Sequence, residues 1–499
     1  MTNTYNTLIL SLVGCSLLLP TTTACIDAAD RVTHLPGWNQ PLPSAWFSGF
    51  LDYEFQGHTI HTHYILVEAE DLGEDQVKPL IYWTNGGPGA SSLFGLMTEL
   101  GPLLFSDDSL SGHDDIPKPI YNPKSWTRLG TLLIVDQPAP IGFSYCDDDV
   151  MGRNCLSWTD ELAAENTHAA LRAFFDKHPC YQELDLYLTG ESYGGIYVPT
   201  LARSILQDKT SNFNVKGFAV GDGCLGTQTG ICPDLGGTGF DAWKVLFLFG
   251  HGQIPIATFQ EFMRACAPHQ NGHWALQTPD NPACQKVVKD IEIQAGGYYE
   301  YNLYDDCTYR NGILAGAVND YACGGDMVME AYFQHPEVLE AFHVPNNYYS
   351  VDNAVGFDYT PTEQDLRPFY KSLTHDNRLR DEDSQIRVLI YNGDADPAIT
   401  SLAAQNWTWH LDLPEIESWR PWTVDSCRRV GGYVTRYEGS FDFLTIRGAG
   451  HMVPTYKSDA TFAFIRAWIN NKDYPLYDKD CVSPKFQAME EEVVAVQPN

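Results

Sequence analysis

The chain has 499 residues, 44% of them hydrophobic and only 19% charged, enough for a large core spread over two or three domain-sized units. Its 64 acidic side chains outnumber the 31 basic ones, giving a formal net charge of −33. A surface of that sign repels phosphate backbones and anionic lipid headgroups, so neither nucleic acid nor a membrane surface is an expected partner, whereas an acidic compartment would partly neutralise it.

Residues 8–19 form an apolar run too short to span a bilayer, followed by Pro20 and the small residues Thr22, Thr23 and Ala24. This reads as a secretory signal over 1–24 with cleavage near Ala24, although the segment contains no Lys or Arg. Of thirteen cysteines, Cys15 lies in the signal and the other twelve are expected to form disulfides in an oxidising compartment. No Cys-x-x-Cys occurs, so no zinc site is expected, and no other metal or cofactor.

From Trp46 to Ala69 apolar and polar residues alternate, as in an antiparallel hairpin. His58, His61 and His63 lie within it. With no acidic or cysteine ligand offered nearby, they read as a solvated strand face rather than a metal site. Strand-like runs then recur at Leu80–Trp83, Leu132–Val135, Leu184–Leu188, Val215–Val220 and Val388–Tyr391, with helical patterns between several of them, such as Trp158–Phe175. Strands alternating with helices predict an α/β architecture with a mostly parallel sheet. The stretch from Cys224 to Val344 breaks the rhythm: it is rich in loops, cysteines and paired glycines, and reads as an inserted cap. The expected division is 25–224 for the first part of the core, 225–344 for the cap, 345–483 for the second part of the core and 484–499 for an acidic tail. One glycosylation sequon is present, Asn406-Trp407-Thr408, which calls for an exposed Asn406 if it is used.

Three strand ends carry the residues from which chemistry can be built. Gly190-Glu191-Ser192-Tyr193-Gly194 lies between a strand and a helix-forming segment, the pattern of a nucleophile elbow, in which a tight turn exposes the serine hydroxyl. A serine needs a base, and the base needs an acid to fix its tautomer. Downstream, Asn392-Gly393-Asp394-Ala395-Asp396-Pro397 places carboxylates after one strand, and Gly448-Ala449-Gly450-His451 places a histidine in a glycine-rich turn after another, Phe443–Ile446. The chain order Ser, Asp, His is that of the α/β-hydrolase fold. An oxyanion hole needs unhindered backbone N–H groups, which Asn85-Gly86-Gly87-Pro88-Gly89 can supply after the Leu80–Trp83 strand. That loop lacks the Gly-x-Gly-x-x-Gly spacing of a dinucleotide site.

Taken together, Asn85-Gly86-Gly87-Pro88-Gly89-x-Ser91-Ser92, Asp136-Gln137-Pro138 with Gly142-Phe143-Ser144-Tyr145, Gly190-Glu191-Ser192-Tyr193-Gly194-Gly195, Gly393-Asp394-x-Asp396 and Gly450-His451-Met452-Val453-Pro454 resemble the serine carboxypeptidases, the family of cathepsin A, yeast carboxypeptidase Y and the wheat-type plant enzymes. The resemblance runs from Asp30 to about residue 470. It implies Ser192 as nucleophile, His451 as base, Asp396 as the orienting acid and Asp394 as structural. The oxyanion donors it implies are the N–H groups of Gly87 and Tyr193. For the free α-carboxylate of a peptide or protein C-terminus it implies Asn85, Glu99 and Glu191, with the two acids sharing a proton at acid pH. It implies a lysosomal, vacuolar or extracellular location and leaves a homodimer open.

This sequence departs from the family at Ala90, where a cysteine usually pairs with one matched here by Cys323, so Cys323 must stay reduced or find another partner, for which Cys307 is a candidate. The Asp396–Thr400 loop also lacks a cysteine that some members carry. Two alternatives to peptidase activity are acyl transfer to an alcohol and a protective or scaffolding role toward other hydrolases. Relatives that transfer acyl groups commonly carry Asp before the nucleophile, where this chain has Glu191. A plain lipase has no need of the Asn85, Glu99 and Glu191 set.

Overall fold

The computed structural model describes residues 27–481 except 72, 74–77, 106–108, 110–115, 148–154, 233–238, 268–279, 306–324, 346–348, 350–354 and 376–384. The expected signal, the acidic tail, Cys307 and Cys323 lie outside the described residues.

Among the described residues twelve strands form one mixed sheet. They are β1 (Arg31–Val32), β2 (Trp46–Phe55), β3 (His58–Val67), β4 (Leu80–Thr84), β5 (Thr131–Val135), β6 (Tyr145–Cys146), β7 (Leu186–Glu191), β8 (Val215–Gly221), β9 (Arg387–Gly393), β10 (Glu415–Thr423), β11 (Val430–Tyr437) and β12 (Phe441–Ile446). Their spatial order is β1-β2-β3-β5-β4-β7-β8-β9-β12-β11-β10, with β6 paired to β3. The strands from β5 to β12 in that order are mutually parallel. Antiparallel strands close both edges. This is the α/β-hydrolase arrangement.

The central strands read as continuous apolar runs because both of their faces are covered; β4, β5, β7 and β12 are buried at every residue. Successive side chains feed opposite cores. Trp83, Ile134, Tyr187, Leu389 and Leu444 pack on one face with Phe464, Ile465 and Trp468 of α10 (Ser458–Ile469). Tyr82, Leu133, Leu188, Phe218 and Ile390 pack on the other with Leu171 and Phe174 of α1 (Asp160–Lys177) and Ile196 and Leu201 of α2 (Gly194–Gln207). Helix α1 starts where Thr159 accepts the Leu162 N–H, and it places Asp160 and Glu161 in its first turn and Lys177 in its last, as the helix dipole favours.

The segment between β8 and β9 packs in two ways. Helices α3 (Gly239–Gly250), α4 (Ile256–Ala265) and α5 (Pro282–Ala295) have a core of their own, including Val245, Leu248, Phe262, Val287 and Ile291, and are stapled by Cys266–Cys284. By contrast, Val328, Met329 and Phe333 of α6 (Gly325–Phe333) and Val338 of α7 (Pro336–Ala341) belong to the main core that also holds Trp46. Further disulfides join Cys146–Cys155, Cys224–Cys232 and Cys427–Cys481. No described helix is long and apolar enough to cross a membrane.

The histidine-bearing strand corrects one expectation. His63 is buried rather than solvated: its Nε2 bonds Ser48 Oγ at 2.9 Å and its Nδ1 lies 3.4 Å from Asp136. His61 is half-buried between Asp52 and Asp147, at 2.7 and 3.1 Å. Strand pairing supplies acidic neighbours that adjacency in sequence did not, since Asp52 faces His61 across β2 and β3. No group of three or more potential metal ligands forms among the described residues. The sequon falls within α9 (Ser401–Trp409), where Asn406 is half-buried and Thr408 is buried with its hydroxyl bonded to Ala404 and Gln405 carbonyls.

Candidate active site

Strand β7 ends in Gly190-Glu191 and turns at Ser192 with φ +60°. A non-glycine residue in this region costs on the order of 1–3 kcal/mol, so surrounding bonds must impose it. Ser192 donates its N–H to the Gly221 carbonyl at 3.0 Å, and its carbonyl accepts from Gly195 and Cys224, both at 2.9 Å. A Cβ on Gly195 would lie 2.3 Å from the Cys224 carbonyl oxygen, so only glycine lets the start of α2 approach this closely. Glu191 and Tyr193 are buried while Ser192 stays partly open.

The loops after β9 and β12 leave the same edge of the sheet as the Ser192 turn, because these strands are parallel and adjacent. His451 Nδ1 donates to Asp396 Oδ2 at 2.8 Å. Asp396 is fully buried and also accepts the N–H groups of Ala398 and Ile399 at 2.8 and 3.1 Å. With Nδ1 committed to the acid, Nε2 is the ring nitrogen left for proton transfer. Asp394 faces elsewhere and accepts the Gly448 N–H at 2.6 Å, tying the acid loop to the histidine loop. The inserted segment joins this assembly. The Tyr301 carbonyl accepts the His451 N–H at 2.8 Å, its ring stacks on the imidazole at 4.9 Å, and Leu303 donates to the Ala395 carbonyl at 3.0 Å. Sequence reasoning misses Tyr301; its only signal was a cluster of tyrosines at 298, 299, 301 and 304.

The glycine-rich loop lies against the other side of the elbow. Gly87 has φ +106°, and a Cβ on Gly86 would fall 2.2 Å from the Tyr193 nitrogen. Among the described residues, the N–H groups of Gly87 and Tyr193 donate to no protein acceptor. Beneath the loop, Ser91 Oγ donates to Asp136 at 2.7 Å, and any side chain at Gly142 would collide with the same carboxylate. The Asp136 and Gly142 motif is thus the floor of the glycine loop. Tyr193 is anchored by Asp160, a residue that the sequence places only within the helical pattern Trp158–Phe175. The Asp160 carboxylate accepts the hydroxyls of Tyr193 and Tyr359 at 2.7 and 2.6 Å and the N–H groups of Thr362 and Glu363, each at 2.6 Å.

Asn85, Glu99 and Glu191 meet in one buried cluster. Asn85 Nδ2 donates to Glu99 at 3.0 Å and to Glu191 at 3.1 Å, while its Oδ1 accepts from Trp83 Nε1 and the Gly95 N–H, both at 2.9 Å. The two glutamates share the Asn85 amide and bear on each other's protonation, and two ionised carboxylates there could only repel because both are acceptors only. Burial pushes Glu99 up to about 7, opposed by its bonds to Asn85 and Glu191 and by the nearby His451. Burial, then the charge of Glu99, raises Glu191 well above the ordinary carboxylate range. Glu99 sits on a π-helical turn, Leu96–Leu100, an irregularity that often marks functional sites.

This geometry has counterparts in known proteins. Residues 36–471 match the serine carboxypeptidase family, and the chain belongs to it. Serine carboxypeptidase ctsa-4.1 of Caenorhabditis elegans is 29% identical over 479 residues, which cover 90% of this chain and 94% of that protein. The lysosomal protective protein of Mus musculus is 29% identical over 486 residues, covering 89% and 94%. The crystal structure of Kex1(delta)p, a prohormone-processing carboxypeptidase from Saccharomyces cerevisiae, has the same fold, with a TM-score of 0.67 and 19% identity over 91% of this chain and 97% of that one.

The buried acids make stability depend on pH in a definite direction. The folded state keeps a proton on Glu99 up to about 7, whereas the unfolded chain releases it near 4.5, so stability is fully present below 4.5 and is lost as pH rises through 7. Replacing both acids, Glu99→Gln with Glu191→Gln, removes the penalty. Thermal melts should show the double variant more stable than the parent above neutrality, by up to roughly 3 kcal/mol, and nearly equal at acid pH. An equal shift at both pH values would contradict the assigned protonation.

Proposed function

We propose that the chain is a serine-type carboxypeptidase that releases C-terminal amino acids from peptides and proteins at acid pH through an acyl-enzyme. In this reading Ser192 Oγ attacks the scissile carbonyl and His451 Nε2 takes its proton, then returns it to the departing amino acid. Asp396 fixes the tautomer and faces the imidazolium as it forms. The N–H groups of Gly87 and Tyr193 receive the oxyanion. Water then repeats the sequence on the acyl-enzyme and frees Ser192.

The observation that carries the exopeptidase reading is the buried pair Glu99 and Glu191, bridged by Asn85 and joined directly to the nucleophile turn. A protonated carboxyl donates a hydrogen bond to a substrate α-carboxylate, and Asn85 sets the two acids in place for it. The disulfides among the described residues and the lysosomal name of one relative support a secretory-pathway protein whose destination is the lysosome, the vacuole or the extracellular space. In this reading no nucleic acid or membrane takes part, and a homodimer would sediment at twice the mass of the chain.

Ser192→Ala should lower turnover by about 10⁴–10⁶ with an unchanged melt, and His451→Ala nearly as much. Asp396→Asn should lose most activity, whereas Asp394→Asn should act on stability, because its carboxylate ties two loops rather than meeting the base. A folded but inactive Asp394→Asn beside an active Asp396→Asn would reverse the assignment of the acid.

Raising pH through about 7 takes a proton from Glu99, so a bound substrate carboxylate meets a charged neighbour. KM for a free-acid peptide should climb steeply while kcat changes much less. The matched amidated peptide should show little rise in KM, and the double glutamine variant should flatten the free-acid profile. Identical KM profiles for the two substrates would remove the carboxypeptidase reading while leaving a serine hydrolase.

A further inference from the structure

We propose that Asp222 is a positioning residue that keeps its proton and donates it in a hydrogen bond to Asp396, holding the acid in register with His451. The inference rests on the reading of Ser192, His451 and Asp396 as a catalytic set. Asp222 follows directly on β8, the strand between the one that carries the nucleophile and the one that carries the acid. It is fully buried, as is Asp396, and the charge of Asp396 bears on its carboxyl group. Two ionised carboxylates offer only acceptors and repel, so a hydrogen bond between the two acids requires a proton on one of them.

The surroundings place that proton on Asp222. Asp396 accepts three N–H groups, from Ala398, Ile399 and the imidazole of His451, and so has the donors to carry the charge. Among the described residues Asp222 accepts from two donors: the Gly393 N–H, shared between both of its oxygens at 3.1 Å, and Asn392 Nδ2 at 3.1 Å. Burial and the charge of Asp396 also raise its carboxyl well above the ordinary range. The titratable groups facing it are Tyr391 and Asp396 from β9 and its loop and Glu191 from β7, with His451 beyond Asp396. All but the histidine are acids, and each disfavours a further negative charge at Asp222. Its backbone has φ +41°, a region that Asp and Asn tolerate better than most residues, and its N–H is bonded to the Tyr391 carbonyl at 2.9 Å.

Protonated, Asp222 links the end of β9 to the acid that leaves it: it accepts from Gly393 and donates to Asp396. Ionised, it would turn the second of these contacts into repulsion and drive Asp396 away from Nδ1. The expected signature is an alkaline loss in kcat, distinct from the rise in KM that comes from Glu99 and Glu191.

The test uses an ester or amidated substrate, which has no carboxylate for those glutamates to read, and follows kcat and KM from about pH 4 to about pH 8 for Asp222→Asn and Asp222→Ala. An asparagine amide accepts from Gly393 and donates to Asp396 at any pH. Asp222→Asn should stay within about fivefold of the parent kcat at acid pH and lose its alkaline fall, whereas Asp222→Ala should lose on the order of tenfold or more in kcat at every pH, with KM little changed. The proposal is overturned if the alkaline limb of Asp222→Asn superimposes on that of the parent, or if Asp222→Asn loses as much as Asp222→Ala at acid pH. The first criterion stands even if Asp222→Ala does not fold. Ser192→Ala and Asp396→Asn run in parallel keep the two readings apart: activity in either removes the catalytic set itself, whereas inactivity in both beside an unaltered Asp222→Asn profile removes only the role given to Asp222.

Discussion

Two carboxyl groups that touch inside a protein must hold a proton between them. Two buried pairs of acids meet that constraint in this molecule, Glu99 with Glu191 and Asp222 with Asp396, where burial and the neighbouring charge raise Glu191 and Asp222 above the ordinary carboxylate range. Among the described residues no salt bridge to Lys or Arg neutralises either pair; neutral donors such as Asn85 and Asn392 and backbone N–H groups orient it instead. A lysine would have fixed the charge whatever the pH. A shared proton leaves it conditional on the medium, and a protonated acid can donate a hydrogen bond where two ionised ones could only repel.

Around these pairs the fold supplies rigidity from covered backbone. Six parallel strands bring their carboxyl ends to one edge, and the residues immediately beyond β4, β7, β8, β9 and β12 provide the site. The left-handed Ser192 is held by β8 through Gly221 and Cys224 rather than by its own side chain. Two further buried aspartates support the backbone on either side, Asp136 below the glycine loop and Asp160 below Tyr193. Each is saturated with donors, as a charge fixed away from water has to be. The strained turn and the smooth sheet are therefore parts of one arrangement, with the central strands stabilising the geometry at their ends.

Much of this was legible in the sequence. The apolar runs at Leu80, Leu132, Val215 and Val388 could be read as covered strands because few polar residues interrupt them. Ser192, Asp396 and His451 stood out because each sits among glycines just past such a run. Asn85, Glu99 and Glu191 became visible only through the resemblance to a family, and the structure brings the three within hydrogen-bonding distance. What escaped depends on distant pairing. Asp160 meets Tyr359 199 positions away, and Asp222 meets Asn392 170 positions away, so neither residue advertises its partner in its own neighbourhood. His63 was misread for a related reason: strand alternation tells which side chains share a face, not whether something covers that face. Here Ser48 and Asp136 come from other strands or loops to meet it.

The inserted segment bears on how such enzymes can change. Its Tyr301 and Leu303 hold the histidine loop and the acid loop by backbone hydrogen bonds, so the insertion is stitched into the machinery it covers. A lineage could exchange α3–α5, which carry their own core and disulfide, with little effect on the sheet. It could not exchange the stretch from Tyr299 to Leu303 without resetting the base. Divergence in what such an enzyme selects and divergence in how fast it reacts are thereby coupled through five residues, and a transplanted insertion that keeps its helices but alters this stretch would inherit the shape of its donor without the chemistry of its host.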